Sequence, residues 1–355
     1  MSSLKVGLIG CGHIAQLVLL NVLKQLPDVE LFALAESDPE RLEEASKRTP
    51  KAVTFASYEE LLLIPEIDAV VICLPNNLHA QATIAAIEHG KHVYLEKPLA
   101  TNLREAQNVL QAWRRTRLVG MIGFNYRFNA LYQAAKQQCL SSRLGEFVCV
   151  RTVFSTALRA LPTWKSNRQS GGGVLLDLAS HHFDLLRFLF GVEVKEVFAR
   201  VWSHNSEDDS AALQIRLANG LTVQSFFSLS ATEEDRFEIY GQAGKLTVDR
   251  YLSFDVEISD STAKFARIKW LVMKLHSVLH SPYLKEKIFT PGIEPSYRAA
   301  LAHFVSAARN NHPTSPNFWD GYRSLAVIEA AEESDRKQRV VSLADFVKED
   351  FIHHR

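Results

Sequence analysis

Short apolar runs alternate with helix-period stretches through the first third of the chain. Val6 to Ile9 forms the first run, and apolar residues from Ile14 to Leu26 follow it at helical spacing. The residues from Ala69 to Leu74 form a continuous apolar run, of the kind that a parallel sheet buries on both faces. This alternation continues to about Gly123 and predicts a doubly wound parallel sheet with helices on both faces.

The pattern changes after Gly123. Runs with β character follow one another, interrupted by one helical stretch from Gly173 to Phe190. The β runs cover residues 146–154, 194–202, 211–217, 221–229 and 236–240. Sequential strands of this kind predict an α+β domain with a large, mostly antiparallel open sheet. The expected domains are therefore 1–123 and 124–355.

Length and charge limit the classes of function. A chain of 355 residues with 47% hydrophobic residues can bury two cores. Lysine plus arginine and aspartate plus glutamate number 40 each, so no global field favours nucleic acid or an anionic membrane as the main partner. No apolar run approaches membrane-spanning length, and the early first strand leaves no room for a signal peptide.

The four cysteines lie far apart in the sequence. They are Cys11, Cys73, Cys139 and Cys149. Because Cys11 and Cys73 fall in or beside expected strands, we expect them to be buried, reduced thiols of a cytoplasmic protein.

A glycine turn joins the first strand to the first helix. Gly10, Gly12 and Ala15 form G-x-G-x-x-A. The first glycine permits the tight turn, the second lets a pyrophosphate approach the backbone, and the alanine lets the helix lie close to the sheet. The start of the helix, at His13 and Ile14, offers free N–H groups to the phosphates. The pattern predicts a Rossmann domain with a dinucleotide cofactor.

An acidic residue completes this pattern. Glu36 ends the next apolar run, about 20 residues beyond Ala15, where a carboxylate accepts hydrogen bonds from the adenosine ribose. A carboxylate at this point repels a 2′-phosphate, so NAD is favoured over NADP, although Ser37 leaves some tolerance for NADP. The simpler alternative is a solvated loop charge beside a turn of no special function.

Lys97 follows a strand, His92 to Leu95, at the edge where such sheets bind ligands. Its ammonium group can hydrogen-bond the oxygen of a reacting alcohol, and Glu96 can orient or tune that charge. An ordinary surface lysine is the alternative interpretation.

Asp177, His181 and Asp184 lie on one stripe of an apolar helix, at spacings of four and three residues. In the functional interpretation His181 accepts a substrate proton and Asp177 holds a neighbouring hydroxyl. A buried polar network is one alternative. A zinc site is another, but no metal is expected because the glycine turn already implies a hydride carrier. His182 points about 100° away and is the weaker candidate.

Together these motifs resemble one known family. The chain is similar to the glucose-fructose oxidoreductase / inositol dehydrogenase / MocA family through the stretches 10–15, 75–79, 96–98, 123–127, 171–181 and 318–321. The resemblance implies a Rossmann domain followed by an α/β domain whose open sheet often forms the oligomer interface. It also implies nicotinamide-dependent oxidation or reduction of sugars, cyclitols or their derivatives.

The resemblance also assigns roles to residues. Lys97, Asp177 and His181 correspond to the catalytic trio of the family. The implied cofactor contacts are Pro75, Asn76, His79, Glu96 and Lys97, and the implied substrate contacts are Asn125, Arg127, Trp164, Lys165, Asp177 and His181. Trp164–Lys165 resembles a Trp-Arg pair of the family, and the lysine lacks the planar fork of arginine. Ala179 stands where the family commonly has glycine.

A basic amphipathic segment over 262–287 is the most individual part of the chain. A helix that covers the sheet or contacts another subunit is the preferred interpretation. A membrane-surface helix, or a lid over an anionic or nucleotide-linked sugar, is the alternative.

The sequence thus predicts a cytoplasmic NAD-dependent dehydrogenase that acts on a small sugar, a cyclitol or a sugar derivative. We expect a homo-oligomer, dimer or tetramer, formed through the C-terminal sheet, and no nucleic-acid or membrane partner. The alternatives are a reductase of another carbonyl or imine compound on the same fold, and a non-catalytic NAD-binding regulatory protein.

Overall fold

The computed structural model describes residues 3–260 and 294–347, with the isolated positions 275, 279, 281 and 284 between them. The chain divides into two compact units, Met1–Asn125 with Ile293–Leu325 and Tyr126–Gly292 with Ala326–Arg355. Residues 293–325 thus return to the first unit, although the expected second domain includes them. Apart from those isolated positions, the basic segment over 262–287 lies outside the described residues.

A six-stranded parallel sheet forms the centre of the first unit. Its strands are β1 (Leu4–Ile9), β2 (Val29–Ala35), β3 (Val53–Phe55), β4 (Ala69–Ile72), β5 (His92–Leu95) and β6 (Gly120–Ile122). The order β3-β2-β1-β4-β5-β6 is doubly wound, since successive strands are added on one side of β1 up to β3 and on the other side from β4 onward. The loops that follow β1 and β4 therefore border the crevice where such sheets bind ligands.

Helices connect the strands and cover the sheet. They are α1 (Leu20–Gln25), α2 (Pro39–Arg48), α3 (Tyr58–Leu62), α4 (His79–Glu88) and α5 (Leu103–Trp113). A π-helical turn, Ala15–Leu19, leads into α1. The start of α2 shows why the sequence forms a helix there, since the Asp38 side chain accepts hydrogen bonds from the N–H groups of Glu40 and Arg41, and Pro39 holds the first helical position.

Two later helices begin in the first unit, α8 (Ser296–Asn310) and α9 (Phe318–Lys337). Phe304 packs edge-on against Tyr94 with ring centroids 5.8 Å apart, and Phe318 packs against Trp113 at 5.2 Å. These buried aromatic contacts explain why residues 293–325 join the parallel sheet.

The second unit is built on an eight-stranded mixed sheet. Its strands are β7 (Phe147–Ser155), β8 (Val194–Trp202), β9 (Ser210–Leu217), β10 (Thr222–Ser228), β11 (Glu234–Gly241), β12 (Gly244–Asp249), β13 (Glu257–Asp260) and β14 (Val341–Ser342). Their order is β13-β12-β11-β7-β10-β9-β8-β14, and among these pairs only β7 with β10 is parallel. The predicted fold class is confirmed, although the sequence pattern missed β12, β13 and β14.

Two helices of the second unit lie between residues 130 and 190. These are α6 (Ala130–Leu140) and α7 (Ser180–Phe190), and a π-helical turn, Leu175–Ala179, precedes α7. Helix α7 ends at Gly191, whose positive φ of 67° provides the left-handed cap. Phe183 of α7 packs edge-on against Phe227 of β10 with centroids 5.9 Å apart, which places this helix on the buried face of the sheet.

Candidate active site

The two glycines of the first turn have different surroundings. Gly10 has a φ of +90°, and a Cβ atom there would lie 2.4 Å from the carbonyl oxygen of Cys73. The turn after β1 is therefore packed against the end of β4. A Cβ atom on Gly12 would meet nothing within 4 Å, so the protein itself does not require a glycine at that position. The open space beside Gly12 suits a pyrophosphate that approaches the backbone.

Glu36 lies over this turn. One carboxylate oxygen accepts a hydrogen bond from the backbone N–H of Cys11 at 2.7 Å, and the other accepts one from the N–H of Asp38 at 3.0 Å. The Ser37 hydroxyl also donates to Oε1 at 3.4 Å, so the carboxylate is fixed and Oε2, with a single donor from the chain, keeps a further lone pair for a ribose hydroxyl. Burial and the charge of Glu36 raise the pKa of the Cys11 thiol to about 12, so this thiol stays protonated.

The cysteine expectation holds only in part. All four cysteines are free, and Cys11 is buried as expected. Cys73 is only half-buried, because it lies beyond the last residue of β4 at the open edge of the sheet.

The loop after β4 is tied to the loop after β5. Pro75 precedes a single 3-10 turn, Asn76–Leu78, and Asn76 is buried. The buried His79 ring has Nδ1 2.6 Å from the Pro98 carbonyl oxygen and Nε2 2.9 Å from the Leu74 carbonyl oxygen. Burial lowers the pKa of His79. His79 therefore connects the loop after β4 to the loop that carries Lys97.

Glu96 and Lys97 occupy the carboxyl end of β5. The Lys97–Pro98 peptide bond is cis, and the Lys97 side chain is half-buried. Glu96 is only 7% exposed, and burial raises the pKa of its carboxyl group to about 7 against the opposing charge of Lys97. A Cβ atom on Gly123 would lie 3.1 Å from a carboxylate oxygen of Glu96, so the glycine leaves room for this side chain.

In the second unit, Asp177 is paired with Lys165. The Lys165 ammonium group donates to both carboxylate oxygens of Asp177, at 2.9 and 3.0 Å. Asp177 is buried, and the ammonium lies 5.4 Å from the centroid of the Trp164 ring. A single lysine thus reaches both oxygens, although it lacks the fork of arginine.

The three glycines before Asp177 allow this pairing. A Cβ atom on Gly172 would lie 2.1 Å from the carbonyl oxygen of Lys165, and the N–H of Gly172 donates to the Asn167 carbonyl at 2.9 Å. Gly171 has a φ of +97°. The loop that carries Lys165 can therefore lie directly on the glycine run, which brings its ammonium to Asp177.

His181 lies one helical turn after Asp177. Its ring is stacked on the ring of Tyr126, with centroids 4.2 Å apart and an interplanar angle of 16°. The Phe154 ring lies 6.3 Å away at a tilt of 50°. The aromatic contacts define the plane of an imidazole that is 7% exposed.

The remaining predicted substrate contacts are held by neighbours. Arg127 donates to both oxygens of Asp184, at 2.8 and 2.5 Å, and Arg187 donates to the same carboxylate at 3.1 Å. Asp184 therefore anchors two buried arginines, consistent with a structural role. In the first unit, the buried amide of Asn125 donates to the Ser296 hydroxyl at 3.1 Å.

Sequence models of one oxidoreductase family match most of the chain. The model described as "Oxidoreductase family, NAD-binding Rossmann fold" covers residues 4–124, and the one described as "Oxidoreductase family, C-terminal alpha/beta domain" covers residues 136–343. The chain belongs to the Gfo/Idh/MocA oxidoreductase family. Membership confirms the predicted family, and with it an NAD-binding oxidoreductase.

Relatives of known name match this family member over nearly its whole length. It is 26% identical over 353 residues to a myo-inositol 2-dehydrogenase of Thermotoga maritima, with 97% of this chain and 100% of the relative covered. It is 30% identical over 341 residues to a 1,5-anhydro-D-fructose reductase of Ensifer adhaerens, with 92% and 95% covered. A solved levoglucosan dehydrogenase in complex with NADH and levoglucosan has a TM-score of 0.82 at 25% identity, with 96% of this chain and 99% of that chain covered.

This Gfo/Idh/MocA protein has buried polar residues that the sequence analysis missed. Asp235 of β11 accepts hydrogen bonds from His182 at 2.9 Å and from Tyr132 at 3.0 Å, and it pairs with Arg250 at 2.6 Å. The signal was present in the alternation of β11, where Asp235 shares the buried parity of Phe237. A carboxylate at a core position needs partners, and those partners were the missing information.

Among the residues that the structure describes, no cluster of three or more His, Cys, Asp or Glu side chains could hold a metal ion. Over the same described ranges, the helices are too short or too polar to cross a bilayer.

Proposed function

We propose that this protein is an NAD-dependent dehydrogenase of a sugar, a cyclitol or a sugar derivative, in which Lys97, Asp177 and His181 act on the substrate. The proposal rests on two features that occur in the same chain. The first unit has a cofactor turn with open space beside Gly12, and the second unit has a buried carboxylate, Asp177, one helical turn from the imidazole of His181.

The first unit would hold NAD through its turn and its strand ends. Gly10, Gly12 and the N–H groups at His13, Ile14 and Ala15 would bind the pyrophosphate. The fixed carboxylate of Glu36 would bind the ribose, and Pro75, Asn76, His79, Glu96 and Lys97 would border the nicotinamide half. When bound, NAD supplies the acceptor for the hydride that leaves the substrate carbon.

Three side chains are given roles at the substrate, one as the proton acceptor and two as hydrogen-bonding groups. His181 takes the proton of the reacting hydroxyl, since an imidazole has an ordinary pKa close to the working pH. Lys97 donates a hydrogen bond to the same oxygen and stabilises the negative charge that develops on it. Asp177 accepts a hydrogen bond from a hydroxyl group on the substrate.

The substrate class follows from the chemistry of the remaining side chains. The Lys165–Asp177 pair offers a donor and an acceptor side by side, which suits two neighbouring hydroxyl groups. Trp164 offers an aromatic face for an apolar side of a sugar ring. Asn125 and Arg127 are the further proposed substrate contacts. The named relatives act on inositol and anhydro-sugars, which are compounds of this class.

A reductase of a carbonyl compound is the second candidate. The relative named 1,5-anhydro-D-fructose reductase supports it, because that name describes the opposite direction on the same fold. In this case His181 gives the proton instead of taking it, and the other roles are unchanged.

We also propose a cytoplasmic homo-oligomer assembled through the eight-stranded sheet. Four free cysteines support the location. On the outer face of the sheet, Trp202 and Phe226 are half-buried and stack with centroids 6.4 Å apart, and Phe226 is in register with Val153. An apolar patch of this kind suits a subunit contact.

The function is tested by a screen and one variant. The purified protein with NAD should reduce the cofactor, seen as absorbance, with at least one compound from a panel of inositols, aldoses, anhydro-sugars and sugar acids. Lys97→Ala should still bind NAD but lose kcat by about 10²- to 10³-fold, the usual effect of removing one hydrogen-bond donor to an oxygen that develops negative charge.

Lys47→Ala is the matched control, because the Lys47 side chain is 71% exposed on α2. It should keep the activity of the wild type. Unchanged kcat in Lys97→Ala, or a panel without turnover in either direction, would contradict the proposal.

A further inference from the structure

His181 and Arg250 both pack against the ring of Tyr126. The His181 ring is stacked on it with centroids 4.2 Å apart, and the guanidinium carbon of Arg250 lies 4.5 Å from its centroid. Arg250 also lies 4.4 Å from the ring of Tyr251. Tyr126 therefore connects the proposed proton acceptor to a cation from a different part of the chain, whose side chain is 11% exposed.

A fully buried carboxylate holds Arg250 in place. Asp235 is 0% exposed and accepts a hydrogen bond from Arg250 Nε at 2.6 Å. Its other oxygen accepts hydrogen bonds from Tyr132 and from His182 Nε2. Burial alone would raise the pKa of Asp235, but the charge of Arg250 and the bond from His182 hold it well below its ordinary range. Asp235 thus stays ionised and keeps the guanidinium fixed.

We propose that Arg250 is a positioning residue for the reaction, because it fixes the ring of Tyr126 and through that ring the plane of the His181 imidazole. This inference rests on the proposed function only in taking His181 as the proton acceptor. A cation over an aromatic face is attracted by the ring, and the attraction is strengthened when water is excluded. The Asp235–Arg250 pair therefore acts on His181 without touching the substrate.

The orientation of His181 matters because a proton moves only along a short, aligned hydrogen bond. A displacement of about 1 Å in a reacting group can cost about 100-fold in rate. Buried ion pairs contribute little to stability on balance, since desolvation offsets their attraction. The geometry of the Asp235–Arg250 pair therefore supports a role in positioning His181.

The test uses Arg250→Met, which removes the charge but keeps an unbranched side chain, and Arg250→Lys, which restores a cation. Protein labelled with ¹³C-histidine gives one ring C–H signal per histidine, and His181→Asn identifies the signal of His181. In the wild type this signal should be shifted upfield by the ring current of Tyr126. Arg250→Met should move the signal towards the ordinary position, and Tyr126→Leu should do the same.

The kinetic result should follow the spectroscopic one. We expect Arg250→Met to lower kcat by about 10- to 100-fold with little change in the Kd for NAD, and Arg250→Lys to recover most of the loss. Arg216→Met is the control on the same sheet, since the Arg216 side chain is 57% exposed, and it should change neither the His181 signal nor kcat.

A folded Arg250→Met protein with an unshifted His181 signal and wild-type kcat would overturn the inference. So would a lower melting temperature as the single effect, because that result describes a structural pair. If Arg250→Met fails to fold, Arg250→Gln, which also lacks the charge but keeps a donor for Asp235, decides the question through the same His181 signal and kcat. If the wild type turns over no substrate, the proposed function fails, while the His181 signal still decides whether Arg250 positions the ring.

Discussion

At the scale of single residues, Gly10 and Gly12 are small for different reasons. Gly10 is constrained by its own chain, because its backbone is left-handed and a Cβ atom would lie 2.4 Å from the Cys73 carbonyl oxygen. Gly12 faces open space, so a side chain there would meet the ligand and not the protein. A sequence motif treats the two positions alike, whereas their packing separates a folding requirement from a binding requirement.

This difference leads to a prediction about substitution. Gly12→Val should keep the melting temperature of the wild type but weaken NAD binding by at least about 10-fold, because its methyl groups fill the space for the pyrophosphate. Gly10→Ala should instead lose roughly 1 to 3 kcal/mol of stability through strain and collision. Calorimetric NAD titration and thermal unfolding distinguish the two effects. Equal NAD affinity in Gly12→Val and the wild type would contradict the placement of the cofactor.

The ion pair of Lys165 and Asp177 supports a second prediction at this scale. Lys165→Met leaves a buried carboxylate without its cation, so Asp177 should become a poorer partner for a substrate hydroxyl. We expect KM for the substrate to rise by about 10-fold or more, from the loss of a charged hydrogen bond. Steady-state kinetics measure the change, and Lys165→Arg should retain a low KM. An unchanged KM in Lys165→Met would place the substrate elsewhere.

At the scale of elements, the buried carboxyl group of Glu96 lies at the end of β5. Glu96 lies directly after Leu95, and Gly123 gives it room at the end of β6. Burial raises its pKa to about 7, so at neutral pH a large fraction of the molecules carry the protonated form. The element thus places a titrating group beside Lys97.

The raised pKa predicts how stability depends on pH. The folded state binds the Glu96 proton more tightly than the unfolded state, so its stabilising contribution is complete below the unfolded pKa of about 4.5 and is lost as the pH rises through about 7. Relative to Glu96→Gln, the wild type should lose about 2 to 3 kcal/mol of unfolding free energy between pH 5 and pH 8. Urea unfolding at the two pH values measures this difference. Parallel pH profiles for the two proteins would show that Glu96 is not titrating in this range.

The glycine run before α7 shows how one element brings another to the site. The Lys165 carbonyl oxygen lies so close to Gly172 that a Cβ atom there would be only 2.1 Å from it. The helical stretch that follows carries Asp177 and His181. The loop and the helix are consecutive in the chain, so their meeting needs only a turn. Glycine at 171–173 is therefore a geometric requirement for the Lys165–Asp177 pair.

At the scale of the whole molecule, the outer face of the eight-stranded sheet is the surface through which we expect subunits to meet. Ala212 is exposed on β9, directly opposite Phe226 of β10. Ala212→Glu should place a charge in the subunit contact and reduce the assembly to smaller species, because removing a charge from water is costly. Light scattering coupled to size exclusion measures the mass, and Lys47→Glu on α2 is the control. The same mass for Ala212→Glu and the wild type would exclude this part of the face from the contact.

Much of the first unit could be predicted from the sequence because its features are local. The strand, the glycine turn, the helix and Glu36 lie within about 30 consecutive residues, which is the size of one βαβ unit. Apolar periodicity and turn chemistry are properties of neighbouring residues, so they can be recognised without knowledge of the fold. The one-face spacing of Asp177 and His181 is local in the same sense.

Contacts between distant residues were decided by the tertiary structure alone. Arg127 meets Asp184, and Asp235 of β11 meets His182 of α7, because strand order and register bring separate segments together. Residues 293–325 join the first unit for the same reason, through aromatic packing on its sheet. A sequence pattern predicts which side chains are buried, but it does not predict which residues those side chains contact. That choice depends on how elements far apart in the chain are packed, as in the contact of Arg250 with the Tyr126 ring, on which His181 is stacked.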